Sequence, residues 1–141
     1  MDIKKKVSSL QREYKTNNPF DIAKSLGIII LFEELGSING YYNKQLRMKQ
    51  IHINCNLSRH EQHFTCAHEL GHALLHPNAN TPFLRNKTYM SIEKLEIEAN
   101  TFAAELLIPD SLIYENPGMT KGQLARLAGY DEKIMDFKKI N

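Results

Sequence analysis

Residues 64–76 read FTCAHELGHALLH. His68 and His72 are four positions apart, and residues four apart lie on the same face of an α-helix. Two imidazoles placed in this way can bind one metal ion, while Glu69 between them points towards a coordination position left open. The stretch therefore predicts a metal-binding helix with a carboxylate beside the metal.

The flanking residues define the helix that carries this motif. Ser58 followed by Glu61 is a capping-box signature, and Pro77 ends the helix at about His76. Gly71 lies inside the helix, where glycine costs about 1 kcal/mol relative to alanine. We therefore expect another part of the chain to pack closely against Gly71.

A catalytic metal site needs a third protein ligand. His76 continues the spacing of four, but a rise of about 1.5 Å per residue puts it roughly 12 Å from His68 along the helix. One ion cannot contact both rings at that separation. His76 is therefore interpreted as a residue at the helix end or in the wall of a cleft.

A second helix, predicted over residues 91–108 with Ser91 as its N-cap, offers a better ligand. Glu96 and Asn100 are four apart and share one face, whereas Glu98 points roughly the opposite way. Glu96 is predicted as the third metal ligand, and Asn100 as the hydrogen-bond partner that fixes the tautomer of a metal-binding imidazole. The alternative is an acidic helix start whose glutamates only complement the helix dipole.

The rest of the chain predicts a small α+β domain. Strands are expected near residues 28–32, 41–42 and 48–54, forming a three-stranded antiparallel or mixed sheet packed on the two long helices. The edge near residues 51–54 is a hypothetical site for an extended substrate, and a paired edge is the alternative. The other predicted helices cover residues 3–14, 19–27, 120–127 and 132–138.

Composition is that of an ordinary globular protein. Apolar residues make up 42% of the chain and the net charge is +2, which indicates neither a nucleic-acid partner nor a membrane partner. The longest apolar run, residues 26–32, is far too short to span a membrane. No export signal follows the N-terminal lysines, so a cytoplasmic location is expected. Cys55 and Cys66 are expected to be reduced.

Two stretches resemble the ImmA/IrrE family of metallopeptidases. They are residues 64–76, quoted above, and residues 96–109, which read EIEANTFAAELLIP. The apolar strand that ends at Asn54 and the segment TPFLR at residues 81–85 fit the same family. The resemblance covers about residues 16–115 and implies the fold of a thermolysin-like minimal zincin.

The resemblance also implies an activity. It implies a zinc endopeptidase with one Zn²⁺ ion, in which Glu96 is the third ligand beside His68 and His72. The usual substrate of the family is a helix-turn-helix repressor of a prophage or mobile element, encoded beside the peptidase. The expected organisation is a metallopeptidase domain over residues 1–117 and a helical pair over residues 118–141, packed on the same domain.

A peptidase mechanism assigns further roles. Glu69 is predicted to be the general base that takes a proton from the attacking water. A donor must also stabilise the oxyanion that develops on the scissile carbonyl. The candidates are Tyr41, Tyr42, His76 and Tyr89, and the sequence does not rank them.

Two other functions stay open. The chain could regulate a partner by contact, without proteolysis. It could also bind DNA through residues 123–137, QLARLAGYDEKIMDF, which have the outline of a helix-turn-helix. Basic residues there are interspersed with Asp131, Glu132 and Asp136, which favours a helical pair that packs on the domain.

Overall fold

The structure of the protein is a computed structural model that describes residues 2–81 and 89–140, without the side chains of residues 89–91. Within these residues no helix combines the length and apolar character needed to cross a membrane. The elements are α1 (Ile3–Tyr14), α2 (Pro19–Ser25), β1 (Ile29–Glu33), β2 (Gly40–Gln45), β3 (Met48–Asn54), α3 (Arg59–Leu75), α4 (Tyr89–Leu107), α5 (Asp110–Glu115), α6 (Lys121–Ala128) and a 3-10 helix (Glu132–Phe137).

The two N-terminal helices form where the sequence predicts them. Asp2 caps α1 and Asn18 caps α2, each through a side-chain oxygen that accepts a hydrogen bond from a backbone N–H. Pro19 occupies the first position of α2, where its fixed φ suits a helix and its missing N–H is not needed. Val7 of α1 and Ile22 of α2 are buried in the core.

The sheet has the strand order β1-β3-β2, with β1 parallel and β2 antiparallel to β3. A small mixed three-stranded sheet packed among helices confirms the predicted α+β fold class. Since β3 is the central strand, the predicted edge at residues 51–54 is wrong. Alternating apolar residues identify a strand, but they do not reveal that β1, from far along the chain, occupies its second side.

One edge of the sheet belongs to β2. The backbone N–H groups of Tyr42 and Lys44 donate to Thr81 Oγ1 at 2.8 Å and Asn80 Oδ1 at 2.9 Å. The segment that follows α3 therefore covers this part of the edge, so a substrate strand cannot pair with it there.

The two long helices, α3 and α4, approach each other closely. A Cβ atom added to Gly71 would lie 3.0 Å from Phe102 Cβ and 3.2 Å from Ala99 Cα. Only glycine allows the helices this separation, as the sequence predicts. The capping box of Ser58 and Glu61 begins α3 and is also confirmed.

Three boundaries differ from the prediction. Because α4 begins at Tyr89, Ser91 lies in its first turn and is not its N-cap. The helix α5 was not predicted, since its six residues carry too short an apolar pattern, and Pro109 precedes it as N-cap. Residues 132–137 form a 3-10 helix, the tighter turn that short segments often adopt.

The C-terminal segment is held against α4 by a buried ion pair. Lys138 Nζ lies 2.6 Å from Glu105 Oε1, and both side chains are almost fully buried. The Lys139 N–H donates to the second oxygen of Glu105 at 3.0 Å. Ile134 and Met135 are buried in the same core cluster as Phe102 of α4. The domain boundary at residue 117 stays a prediction.

We expect a more stable protein when the turn between β2 and β3 is replaced. Leu46 and Arg47 have φ values of 51° and 69°, in the left-handed region that costs an L-residue about 1–2 kcal/mol. The double change Leu46→Asn and Arg47→Gly supplies residues that favour this hairpin turn. Because Leu46 is 89% exposed, little packing is lost.

The free energy of unfolding should rise by about 1–2 kcal/mol, measured from urea denaturation curves. Leu46→Ala is the control, since it shortens the same side chain and keeps the unfavourable φ. An unchanged urea midpoint in the double variant would contradict the assignment of strain to this turn.

Candidate active site

The structure brings His68 and His72 of α3 together with Glu96 of α4. His68 Nε2 lies 3.2 Å from Glu96 Oε2, and His72 Nε2 lies 2.7 Å from Glu96 Oε1. One carboxylate therefore faces both imidazoles. The His72 side chain is fully buried, whereas that of Glu96 is 41% exposed, so the group opens to solvent on the side of Glu96.

A hydrogen bond behind His68 sets its tautomer. His68 Nδ1 lies 2.8 Å from Asn100 Oδ1. An amide oxygen only accepts, so Nδ1 carries a hydrogen and Nε2 is the nitrogen that faces Glu96 and could bind a metal ion. The structure thus places Asn100 behind one of the two imidazoles, on the side away from Glu96.

A second chain of hydrogen bonds lies behind His72. Its Nδ1 is 3.0 Å from His76 Nδ1, and His76 Nε2 is 2.8 Å from Glu98 Oε1. The carboxylate of Glu98 accepts from His76 Nε2–H, which leaves His76 Nδ1 as an acceptor for His72 Nδ1–H. Nε2 of His72 is therefore the nitrogen that faces Glu96 and that would bind a metal ion.

Sequence reasoning missed the role of Glu98. The residue does point away from Glu96, but that direction leads to His76. The spacing of four between His72 and His76 could have predicted that their two rings lie in contact. Imidazoles four apart on a helix can share a hydrogen bond, and an acceptor such as Glu98 beside the second ring fixes which nitrogen of that ring accepts. His76 is consequently a buried support of His72 and not a cleft residue.

Glu69 lies beside this group and is buried. Its Oε1 is the one buried side-chain polar atom within residues 2–81 and 89–140 that has no hydrogen-bond partner. Its Oε2 lies 3.9 Å from His68 Nε2. Burial raises the pKa of Glu69 to about 7, against the opposing effect of the His68 charge. A buried carboxylate with one unpartnered oxygen is suited to exchange a proton with a reactant.

Either of two carboxylates, that of Glu69 or that of Glu96, could be the third ligand of a metal ion bound by His68 and His72. One donor atom each from His68, Glu69 and His72 lies within 4.8 Å of the others. Glu96 is closer to both imidazoles, and ligands of a tetrahedral ion are about 3.3 Å apart for bonds near 2.0 Å. The residues that could hold a metal ion are therefore His68, His72 and Glu96, and Glu69 would lie beside the ion without binding it.

The charges of these groups suit a cation. Burial tends to raise the pKa of Glu96, but hydrogen bonds and charge from His68 and His72 outweigh burial and hold that pKa far below its usual range. Burial lowers the pKa of His72, which favours the neutral imidazole that a metal ligand must be. Burial tends to lower the pKa of His68, but hydrogen bonding and charge from Glu96, with the charge of Glu69, outweigh burial and raise it, so a metal ion would displace a proton there. Two imidazoles and an ionised carboxylate form a donor set that fits a divalent metal ion.

The tyrosines considered for oxyanion stabilisation are directed elsewhere. Tyr41 stacks on His52 with ring centres 4.1 Å apart, on the face of the sheet away from Tyr42. The Tyr42 hydroxyl donates to the Pro77 carbonyl at 2.6 Å. Neighbouring residues of a strand point to opposite faces, and each tyrosine has its partner outside the group of His68, His72 and Glu96. The side chain of Tyr89 lies outside the described residues.

Similarity to known proteins identifies the family. The IrrE N-terminal-like domain of the Peptidase M78 family matches residues 23–137, which is most of the chain. The chain belongs to the Peptidase M78 family. The resemblance to ImmA/IrrE proteins is confirmed, and the M78 chain is accordingly a metallopeptidase whose family implies a metal ion.

Two relatives of this M78 chain are similar over nearly its whole length. It is 42% identical over 142 aligned positions to "Uncharacterized immunity region protein 2" of Bacillus phage phi105, covering 99% of this chain and 90% of that protein. It is 37% identical over 142 aligned positions to "Metallopeptidase ImmA" of Bacillus subtilis strain 168, covering 96% of this chain and 83% of that protein.

We expect Asn100→Ala to weaken metal binding. The change removes the acceptor that keeps the Nε2 lone pair of His68 available, and such outer partners are worth about 10–100-fold in metal affinity. The affinity for Zn²⁺ is measured by competition with a chromophoric chelator. Thr101→Ala is the control, because the Thr101 hydroxyl bonds only within its own helix, to the Ile97 carbonyl. Equal affinities for the two variants would contradict the role of Asn100.

Proposed function

We propose that the chain is a zinc-dependent endopeptidase that hydrolyses a peptide bond in a protein substrate. The observation that carries the proposal is the convergence of His68 Nε2 and His72 Nε2 on the carboxylate of Glu96 at 3.2 and 2.7 Å. The buried carboxylate of Glu69 stands beside this group. Two imidazoles and one carboxylate leave a fourth position open, which is the arrangement of catalytic zinc sites.

The choice of zinc follows from the donor atoms. Imidazole nitrogens together with one carboxylate oxygen suit Zn²⁺, whereas Mg²⁺ and Ca²⁺ prefer oxygen ligands alone. When bound, the ion would polarise the scissile carbonyl and lower the pKa of water at the open position. His68, His72 and Glu96 would hold it, and the hydrogen bonds that the two imidazoles donate to Asn100 and His76 would keep them in the required tautomer.

Glu69 would carry the proton during hydrolysis. Its carboxylate takes a proton from the water that attacks the scissile carbonyl, and it then gives that proton to the nitrogen of the departing amine. The lack of a hydrogen-bond partner for Oε1 supports this role, since the oxygen is free to accept from a reactant. A pKa near 7 makes both directions of transfer accessible at neutral pH.

We further propose that the substrate is a helix-turn-helix repressor of a prophage or mobile element. Support comes from the two relatives, one named as an immunity region protein of a phage and one as the metallopeptidase ImmA. The resemblance to ImmA-type proteins implies the same substrate class. Because such a repressor acts on DNA in the cytoplasm, the proposal also assigns the peptidase to that compartment.

The decisive experiment is incubation of the purified, zinc-loaded chain with the product of the adjacent repressor gene, followed by mass spectrometry. We expect two fragments that add up to the intact repressor plus one water, and no fragments when a chelator is present. A stable complex with an uncleaved repressor would instead support the alternative in which the chain regulates its partner by contact. If the repressor were neither cleaved nor bound, the assigned substrate would be wrong.

A further inference from the structure

The two edges of the sheet differ in how they are covered. The β2 edge carries polar residues at positions 43–45, and Asn80 and Thr81 accept hydrogen bonds from its backbone. At the β1 edge, no hydrogen bond joins the backbone of residues 29–32 to any described residue outside β3. An unpaired edge presents N–H and C=O groups that can pair with another strand. The β1 edge is therefore open to a further strand.

The sequence of β1 is that of an interior strand. Residues 28–32 read IIILF, an apolar run without the lysine or proline that often protects an edge. The register with β3 runs from Ile29 to Glu33 without a bulge, which is another common form of protection. Strands inside a sheet carry such continuous apolar runs. The composition of β1 therefore suits a position with a strand on each side.

Side chains extend the apolar surface on both faces of this edge. Phe32 is 53% exposed, and its ring stacks on that of Phe20 in α2 with ring centres 5.8 Å apart. On the other face of the strand, Ile29 and Leu31 are only half-buried. A partner strand would cover these side chains together with the backbone groups, and burial of apolar surface would stabilise the contact.

The two ends of the strand carry opposite charges. Lys24 precedes β1 in the last turn of α2, Glu34 follows the strand, and both are exposed. Neither has an ion-pair partner in the part of the chain that the structure describes. If two copies of β1 pair antiparallel, the lysine end of each strand lies at the glutamate end of the other, whereas parallel pairing brings like charges together. Charge complementarity therefore favours an identical strand in the antiparallel orientation.

We propose that β1 pairs antiparallel with β1 of a second copy of this chain. The two three-stranded sheets then form one six-stranded sheet about a two-fold axis, the commonest symmetry of homo-oligomers. Because this axis is perpendicular to the sheet, the Phe20 and Phe32 rings of both copies lie on the same face. The metal ligands assigned above lie on α3 and α4, so the proposal does not rest on the proposed function.

The first test measures the mass of the protein in solution. The purified chain is studied by sedimentation equilibrium over a series of concentrations. Its average mass should rise from 16.3 kDa towards twice that value as the concentration increases. A constant mass of one chain up to about 1 mM, a concentration at which even weak complexes form, would overturn the proposal.

Amide hydrogen exchange identifies the surface that forms the dimer. Exchange is measured by NMR at a low and a high protein concentration. The amides of residues 29–33 that face away from β3 should exchange more slowly at the high concentration, because they then donate to the partner strand. The amides of Tyr42 and Lys44, on the opposite edge, are the control and should not change.

Two results of the exchange experiment would contradict the proposal. A dimer in which the β1 amides show no change must use another surface. A chain that stays monomeric alone, and whose β1 amides are protected only after the proposed repressor is added, assigns this edge to the repressor and not to a second copy.

A matched pair of variants tests the edge itself. Phe32→Lys places a charge beside the proposed strand pair and should weaken the dimer at least about tenfold. Leu46→Lys is the control, because it adds the same charge at an 89% exposed apolar residue in the turn between β2 and β3. Urea denaturation establishes that both variants are folded. A folded Phe32→Lys protein that dimerises like the parent would overturn the proposal.

An exchange of charges tests the orientation of the two strands. Lys24→Glu makes both ends of β1 acidic and Glu34→Lys makes both ends basic, so each single change should weaken the dimer by about threefold. The combined change restores opposite charges and should restore the affinity of the parent. A combined variant that is weaker than either single variant would show that the strands are not antiparallel.

Discussion

Replacing Glu69 by glutamine is expected to abolish peptide hydrolysis while the fold and the bound metal persist. Glutamine has nearly the shape of glutamate, but its amide cannot take a proton from water at neutral pH. General acid–base catalysis contributes about 10²–10⁴-fold to a rate, so the loss in kcat should lie in that range. The substitution also fills the same buried position, since Glu69 is 6% exposed.

The measurement is the rate of repressor cleavage, followed by gel and mass spectrometry, together with the zinc content of each purified variant. Glu93→Gln is the control, because it makes the same chemical change at an exposed position of α4. The control should cleave as fast as the parent protein. If Glu69→Gln also cleaved at the parent rate, the proposed mechanism would be wrong.

The second large effect is expected from His72→Ala, which should remove the metal and with it the activity. The imidazole is fully buried and lies 2.7 Å from Glu96 Oε1, so its removal takes away one of the three assigned ligands. Partners behind a ligand are already worth about 10–100-fold in metal affinity, and loss of the ligand itself should exceed about 100-fold. Removing the ring also leaves His76 Nδ1 without its partner.

Two readouts separate loss of the metal from loss of the fold. Zinc affinity is measured by chelator competition, and thermal unfolding is followed with and without added Zn²⁺. Zinc should raise the midpoint of the parent protein, since a ligand that binds only the folded state stabilises it, and should leave that of His72→Ala unchanged. His63→Ala, on the same helix, is the control and should retain zinc. A folded His72→Ala protein with the zinc affinity of the parent would contradict the assigned ligands.

Much of the fold follows from short-range chemistry. The capping box of Ser58 and Glu61, the proline at the start of α2 and the close packing at Gly71 were all predictable. The two helix starts depend on backbone groups or on residues one turn away, so the local sequence contains the information. Gly71 marks a close approach but does not identify the helix that packs there. At the start of α4 the capping signal itself was misleading, since Ser91 suggested an N-cap and the helix begins at Tyr89.

The candidate site was also predictable only in part. The facing positions of His68 and His72 follow from helix geometry alone, and the shared face of Glu96 and Asn100 follows from the same rule on a second helix. That these two faces meet is a property of the tertiary structure, because it requires α3 and α4 to pack at Gly71. Glu98 shows most clearly what helix geometry alone cannot predict, since its partner His76 lies 22 positions away on another helix.

The sequence by itself determined which helices carry metal-binding and proton-transferring groups, because side-chain direction on a helix repeats with a known period. Only the tertiary structure decided that β3 is the central strand, that Tyr41 and Tyr42 have their partners at His52 and Pro77, and that the C-terminal segment packs on α4. These features depend on contacts between segments far apart in the chain, and such contacts are selected by the packing of the whole core.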